Sequence, residues 1–218
     1  MTVSKLFIDI LLPGLWDTLY MVLLSTLFAV IIGFVPAIVL VITDSKGLKP
    51  NKVVNSVLNF VINLLRSFPF IILMIAIFPL TKLIVGTTIG IQAAIVPLTI
   101  GAAPFAARVI ESALKEVDPG IVEAAKSFGA STFQIIFKVM IKEALPSIVL
   151  GITLTVISVI GYSAMAGTIG AGGLGDIAVR YGYQRFKTDI MIYTVIILIV
   201  VVQIMQGLGN LAYRKLSK

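Results

Sequence analysis

Leu19–Ile42 reads LYMVLLSTLFAVIIGFVPAIVLVI, an unbroken run without a charge. A helix rises about 1.5 Å per residue, and about 20 apolar residues cover the roughly 30 Å hydrocarbon core of a bilayer. This stretch is therefore long enough to cross a membrane, and it sets the fold class as an all-α integral membrane protein. Composition agrees. Of 218 residues, 59% are hydrophobic and 12% charged, against about 45–50% and about 25% in soluble domains.

Upstream of that run, Lys5 precedes a short apolar stretch interrupted by Pro13, Trp16 and Asp17, with no small-residue cleavage site. This reads as an interfacial amphipathic segment leading into the first span, not as a cleaved signal. Downstream, the loop Thr43–Gly47 closes the span, and Lys46, Lys49 and Lys52 follow. Val53–Leu65 is apolar but studded with Asn55, Ser56, Asn59 and Asn63, which suits a helix that begins at the interface. Further spans are predicted at 67–85, 89–107, 146–168 and 190–211, making five transmembrane helices with 19–42. Residues 1–218 read as one domain. Pro69, Pro79, Pro97 and Pro104 fall in the second and third spans, where neighbouring groups can satisfy the freed carbonyls. Gly86 and Gly90 form a small-xxx-small pair of the kind that lets helices approach. Two stretches lie outside the spans: 108–145, and the Gly-, Tyr- and Arg-rich 167–189.

The net charge is +7. Of 17 Lys and Arg residues, eleven fall in the 44–52 loop, the 108–145 loop and the C-terminus. Five (Lys5, Lys82, Arg180, Arg185, Lys187) fall on the other side, and Arg66 sits at the boundary. The bias places the N-terminus outside and the C-terminus in the cytoplasm, and it accounts for the basic charge without nucleic acid. The chain has no Cys and no His. That removes thiolate nucleophiles, imidazole bases and Cys- or His-ligated metals, so no catalytic or metal site is predicted. All ten acids lie in loops or at span ends. Ion-coupled pumps usually carry ionisable groups within the membrane, so the energy source is expected outside this chain. A sodium site built from carbonyls in a broken helix keeps a secondary transporter open as an alternative.

The 108–145 loop has internal order. Asp118-Pro119-Gly120 is a helix start, with Asp at the N-cap and Pro at the first helical position. Gly129 suits the left-handed residue that ends a helix. Ser131-Thr132-Phe133-Gln134 is a capping box. Helix, glycine stop and helix together make a compact knob. Its residues Glu123, Ala124, Ala125, Lys126, Phe128 and Gly129 combine small side chains for close approach, an apolar anchor and two charged contacts. An ordinary charged hairpin satisfies the same pattern.

Glu123-Ala124-Ala125, three residues, then Gly129 resembles the cytoplasmic signature of ABC importer permeases. The second half of that signature departs: Val139, Ile141 and Lys142 stand where the family has Ile and Leu-Pro, and Leu145-Pro146 comes later. Arg66-Ser67-Phe68-Pro69 is similar to an element at the second span of amino-acid permeases. The stretches 84–99 and 161–175, with Gly161-Tyr162-Ser163-Ala164-Met165, look like the methionine branch. The resemblance implies a type I ABC importer permease fold with a cytoplasmic coupling helix at Glu123–Gly129, in the cell membrane. It implies import of methionine, in the L form and, as an open alternative, the D form. It further implies a homodimer, two cytoplasmic ABC ATPase subunits carrying ATP and Mg, and an extracytoplasmic substrate-binding lipoprotein, with no cofactor in this chain. Tyr162, Ser163, Met165, Phe68 and Pro69 are then pathway candidates. Arg66 is either an interfacial anchor or a gating ion-pair partner. The glycine-rich 167–175 lacks the Gly-Lys-Ser/Thr of a phosphate loop and reads as a tight external turn. Arg180, Tyr181, Tyr183 and Arg185 beside it suit either binding-protein docking or interfacial anchoring. A permease for another small amino acid and a purely structural membrane protein complete the alternatives.

Overall fold

The computed structural model describes residues 7–217. Lys5, Lys218 and the first six residues of the expected amphipathic segment lie outside the described residues.

Helix α1 (Phe7–Thr43) opens with a π-helical turn and continues without a break. The expected interfacial segment and first span are thus joined, with the same helix running through both. Pro13 stands where the π-helical turn passes into the α-helical part. The turn after α1 is pinned to the helix end: the Lys49 amide donates to the Ile42 carbonyl (2.9 Å) and the Asn51 amide to that of Thr43 (3.0 Å). Asn51 then caps α2 (Lys52–Ser67), its side chain accepting from the Val54 amide.

The predicted second span, 67–85, is not one helix. It is α3 (Phe70–Ala76) and α4 (Phe78–Val85), and α3 leaves α2 at 100°. Two prolines explain both breaks. Phe68 precedes Pro69 and is held extended (φ −72°, ψ 127°), as a residue before proline must be. Pro79 has no N–H for the Ile75 carbonyl and its ring crowds that turn, so the chain resets at Ile77 (φ −97°, ψ 10°). Among the described residues four helices are long and apolar enough to cross a bilayer, and five crossings result if the bent α2–α3 pair counts as one.

Gly86 (φ 84°) ends α4 and Gly90 (φ 99°) precedes α5 (Ile91–Lys115), each with open space where a Cβ would stand. Their role is conformational, which corrects the expectation of a helix-approach pair. Close approach occurs instead at Gly33 of α1, where a Cβ would meet the Ala103 carbonyl and Ala107 amide of α5 at 2.7 and 2.8 Å. Helix α5 runs past the expected 107 to Lys115, and α7 (Thr132–Gly167) starts well before the expected 146. Of the predicted 108–145 loop, only 116–131 therefore lies outside the long helices. The helices extend because the polar residues of 108–115 share one face of α5 and the capping box at Ser131 is strong enough to open α7. Between them lies α6 (Pro119–Ser127). The short helix α8 (Gly173–Ile177) continues through a π-helical turn to Tyr183, and α9 (Thr188–Leu216) completes the bundle.

Two apolar clusters stack along α1, α5 and α7. One joins Met21, Val22, Leu98, Val159 and Ile160, with Val201 of α9. The other, at the end carrying α6, joins Val41, Ile110, Leu114, Val117, Ile136 and Met140.

Candidate coupling surface and pathway face

Helix α6 has no buried residue, yet it is fixed at every point. The Asp118 carboxylate accepts from the Gly120 amide at 2.7 Å, Pro119 occupies the first helical turn, and Gly129 ends the helix at φ 75°. The capping box closes in both directions: Ser131 Oγ accepts from the Gln134 amide (3.3 Å), and Gln134 Oε1 from the Ser131 amide (2.8 Å). Val122, Ala125 and Ala130 pack onto the Ile110–Leu114–Val117 cluster. Ala125 is half-buried in this packing and anchors the knob to the body of the chain. Glu123, Ala124, Lys126 and Phe128 face solvent, and Phe128 is 91% exposed. The knob is thus a capped helix that ends on an aromatic ring held in solvent.

Beside the knob lies a group the sequence reading did not assemble. Glu111 of α5 is 3% exposed. Its carboxylate takes Arg108 at 2.7 Å and Lys115 at 2.9 Å. Arg108 also donates to Asn59 and Asn63 of α2, both at 2.9 Å. Lys115 reaches Asp44 at 2.7 Å. Asn59 donates to Asn55, and Asn55 to the Leu40 carbonyl and Thr43 hydroxyl of α1. The hydrogen bond from Lys115, with that from the Lys46 amide, holds the Asp44 carboxyl below the ordinary carboxylate range. The signal was present in the spacing: Asn55, Asn59 and Asn63 recur every four residues, and Arg108, Glu111 and Lys115 lie three and four apart. Both patterns place polar groups on one helical face.

The pathway candidates divide. Phe68, Pro69 and Met165 are exposed. Tyr162 stacks on Phe70 of α3, ring centroids 4.6 Å apart and 11° from parallel, which brings α7 and the α2–α3 bend together. Ser163 is buried and donates to the Ile160 carbonyl at 2.8 Å, within its own helix. Arg66 is exposed in the last turn of α2. The glycine-rich turn is tight: Gly170, Gly172 and Gly173 all have positive φ, and the Gly170 carbonyl accepts from the Gly90 amide at 3.0 Å. At the same end Arg185 lies 4.7 Å over the Tyr181 ring, and Arg180 pairs with Asp176. Tyr183 is exposed.

The chain is thus a bundle of apolar helices with one solvent-facing, capped helix at one end. Residues 29–218 match the family described as binding-protein-dependent transport system inner membrane component, and the chain belongs to that family. Over 96% of its length, and 93% of the other's, it is 52% identical to the probable D-methionine transport system permease protein MetI of Vibrio cholerae serotype O1. Over 99% of both chains it is 46% identical to the methionine import system permease protein MetP of Bacillus subtilis. Its fold matches a solved structure of the MetNI methionine ABC transporter in an inward facing conformation, with TM-score 0.96 and 40% identity over the whole of both chains. The expected fold class is therefore the observed one, and the chain is a membrane component of a transport system, not an enzyme.

Proposed function

We propose that this chain is the permease subunit of an ATP-driven importer of methionine. The observation that carries the reading is the full-length match, at 40% identity and TM-score 0.96, to the permease of the methionine ABC transporter. Two copies form the translocation unit, since five crossings are too few to enclose a polar route and a two-fold axis supplies ten. Two cytoplasmic ATPase subunits bind ATP and Mg and receive the α6 knobs. Glu123, Ala124, Lys126 and Phe128 form the contact, while Ala125 and Gly129 hold its shape. A substrate-binding lipoprotein delivers methionine from outside. The N-terminus lies outside and the C-terminus in the cytoplasm. Phe68, Pro69, Tyr162 and Met165 line the route, and Arg66 anchors α2 at the cytoplasmic interface with its charge in water.

The motion follows from the rigidity of the knob. Closure of the ATPases on ATP carries α6, α5 and the start of α7 as one body, and the spans rock between inward- and outward-facing packings. The test is reconstitution of the chain with its ATPase and binding protein in vesicles, followed by uptake of labelled methionine. Uptake that requires ATP and is competed only by methionine is expected. Uptake that survives ATP removal and collapses with an ion gradient would replace this reading with a secondary transporter.

A further inference from the structure

We infer that Glu111 is a positioning residue for transport: a buried anion that carries the stroke of the coupling helix across α5 to α2 and the bend beyond it. The inference rests on the importer reading above. It starts from the two faces of α5 at its knob end. At about 100° per residue, Arg108, Glu111 and Lys115 share one face, and Ile110, Ala113 and Leu114 share the opposite one. The apolar face belongs to the cluster on which Val122 and Ala125 of α6 pack, a cluster completed by Ile135, Ile136 and Met140 of α7, so α5 is tied to the knob through this shared core. The polar face holds the rest. Arg108 grips Asn59 and Asn63 of α2, and Lys115 grips Asp44 in the α1–α2 turn.

Glu111 is the common counter-ion of both cations. Its carboxylate is nearly inaccessible, with Arg108 at 2.7 Å and Lys115 at 2.9 Å. A buried carboxylate is stable only when paired and hydrogen-bonded, and charge-assisted bonds from two sides fix its position. Hydrophobic faces can slide past one another, whereas this arrangement has one low-energy geometry. Helix α2 therefore moves with α5. Beyond α2 the chain turns by 100° into α3, where Phe70 stacks on Tyr162. The polar node thus links the knob end of α5 to α2 and the bend that carries Phe68 and Pro69, beside the direct connection through α7, which carries Tyr162 and Met165 itself. Neither the knob nor the pathway contains it, so loss of the node uncouples α2 and its bend from the stroke and leaves the knob itself intact.

The test is Glu111→Gln in the assembled transporter, which keeps the side chain's shape and removes its charge. ATPase association and ATP hydrolysis are expected to stay within about twofold of wild type, while methionine taken up per ATP falls at least tenfold. Parallel loss of uptake and hydrolysis, or no change in either, would overturn the inference. Arg108→Gln/Glu111→Gln separates positioning from folding, because it leaves no unpaired buried charge yet still frees α2. Uptake per ATP is expected to stay low in this double variant even where thermal stability recovers; recovery of both would mark Glu111 as merely structural. Hydrogen exchange gives a readout independent of any transport assay. In Glu111→Gln the amides of Asn55–Asn63 are expected to exchange at least tenfold faster while those of Glu123–Ser127 are unchanged. Unchanged exchange in α2 would overturn the inference even if the wild-type chain proved to import something else, whereas wild type lacking ATP-dependent methionine uptake would count against the importer reading alone.

Discussion

At the scale of single residues, two positions in the knob do opposite work. Gly129 sits at φ 75° with open space around it, so the constraint there is backbone conformation and not room. A side chain in that region costs about 1–2 kcal/mol, more for a β-branched one. Gly129→Val is expected to tilt or fray the end of α6 and to cut copurification of the ATPase at least tenfold, with the permease itself still inserted and folded. Phe128 is the converse case. It is 91% exposed and contributes little to the fold, so Phe128→Ala should leave the thermal midpoint of the isolated permease within about 1 °C, on the expectation that exposed substitutions stay within about 0.5 kcal/mol. The same variant should weaken ATPase binding about tenfold or more, as loss of an aromatic anchor does. A lowered midpoint with normal binding would assign Phe128 to the fold.

At the scale of elements, the caps were legible because their chemistry is local. Asp118, Gly129 and the Ser131–Gln134 box each satisfy backbone groups within a few residues, and a reader of the sequence can supply every partner. Ser131→Ala removes one half of the box. It is expected to destabilise the start of α7 by about 1 kcal/mol, seen as faster hydrogen exchange at Thr132–Ile135 without change in the membrane-embedded part of α7. The Asn and Arg residues of α2 and α5 were not legible in the same way. Their spacing shows polar faces, but Asn63 and Arg108 are far apart in sequence, and only the packing of α2 across α5 brings them to 2.9 Å. The span limits suffered for a related reason. Hydropathy marks where a helix leaves lipid, whereas hydrogen bonding continues α5 to Lys115 and starts α7 at Thr132. The broken second span was signalled by Pro69 and Pro79, yet proline alone does not distinguish a kink from a break. The Asp44–Lys115 bond adds a pH dependence. A carboxyl held below its ordinary range favours the folded turn above the carboxylate's unfolded value, and that contribution is lost as pH falls through the lowered folded one.

At the scale of the whole molecule, the distribution of charge follows from how the helices return. Asp44 meets Lys115, which puts the α1–α2 turn beside the knob end of α5. Helix α9 runs back along α7, with Gly209 against Thr153 and Ile190 near Leu174, so Arg214 and Lys215 come to the same end. Lys82, Arg180, Arg185 and Lys187 belong to the other. The fold therefore gathers at one end the loops whose Lys and Arg residues dominated the sequence count, and that bias in positive charge supports the proposed cytoplasmic placement of this end. The natural chain has no cysteine, so single introduced thiols report their side without background. Ser127 on the knob, Ser217 at the C-terminus and Thr87 between α4 and α5 are all exposed. In intact cells with a permeable outer layer, Thr87→Cys is expected to react with a membrane-impermeant maleimide. Ser127→Cys and Ser217→Cys should react only after the membrane is opened, and Ser127→Cys should be shielded again when the ATPase is bound. Labelling of Ser127→Cys in sealed cells would place the knob outside, beyond the reach of any cytoplasmic ATPase.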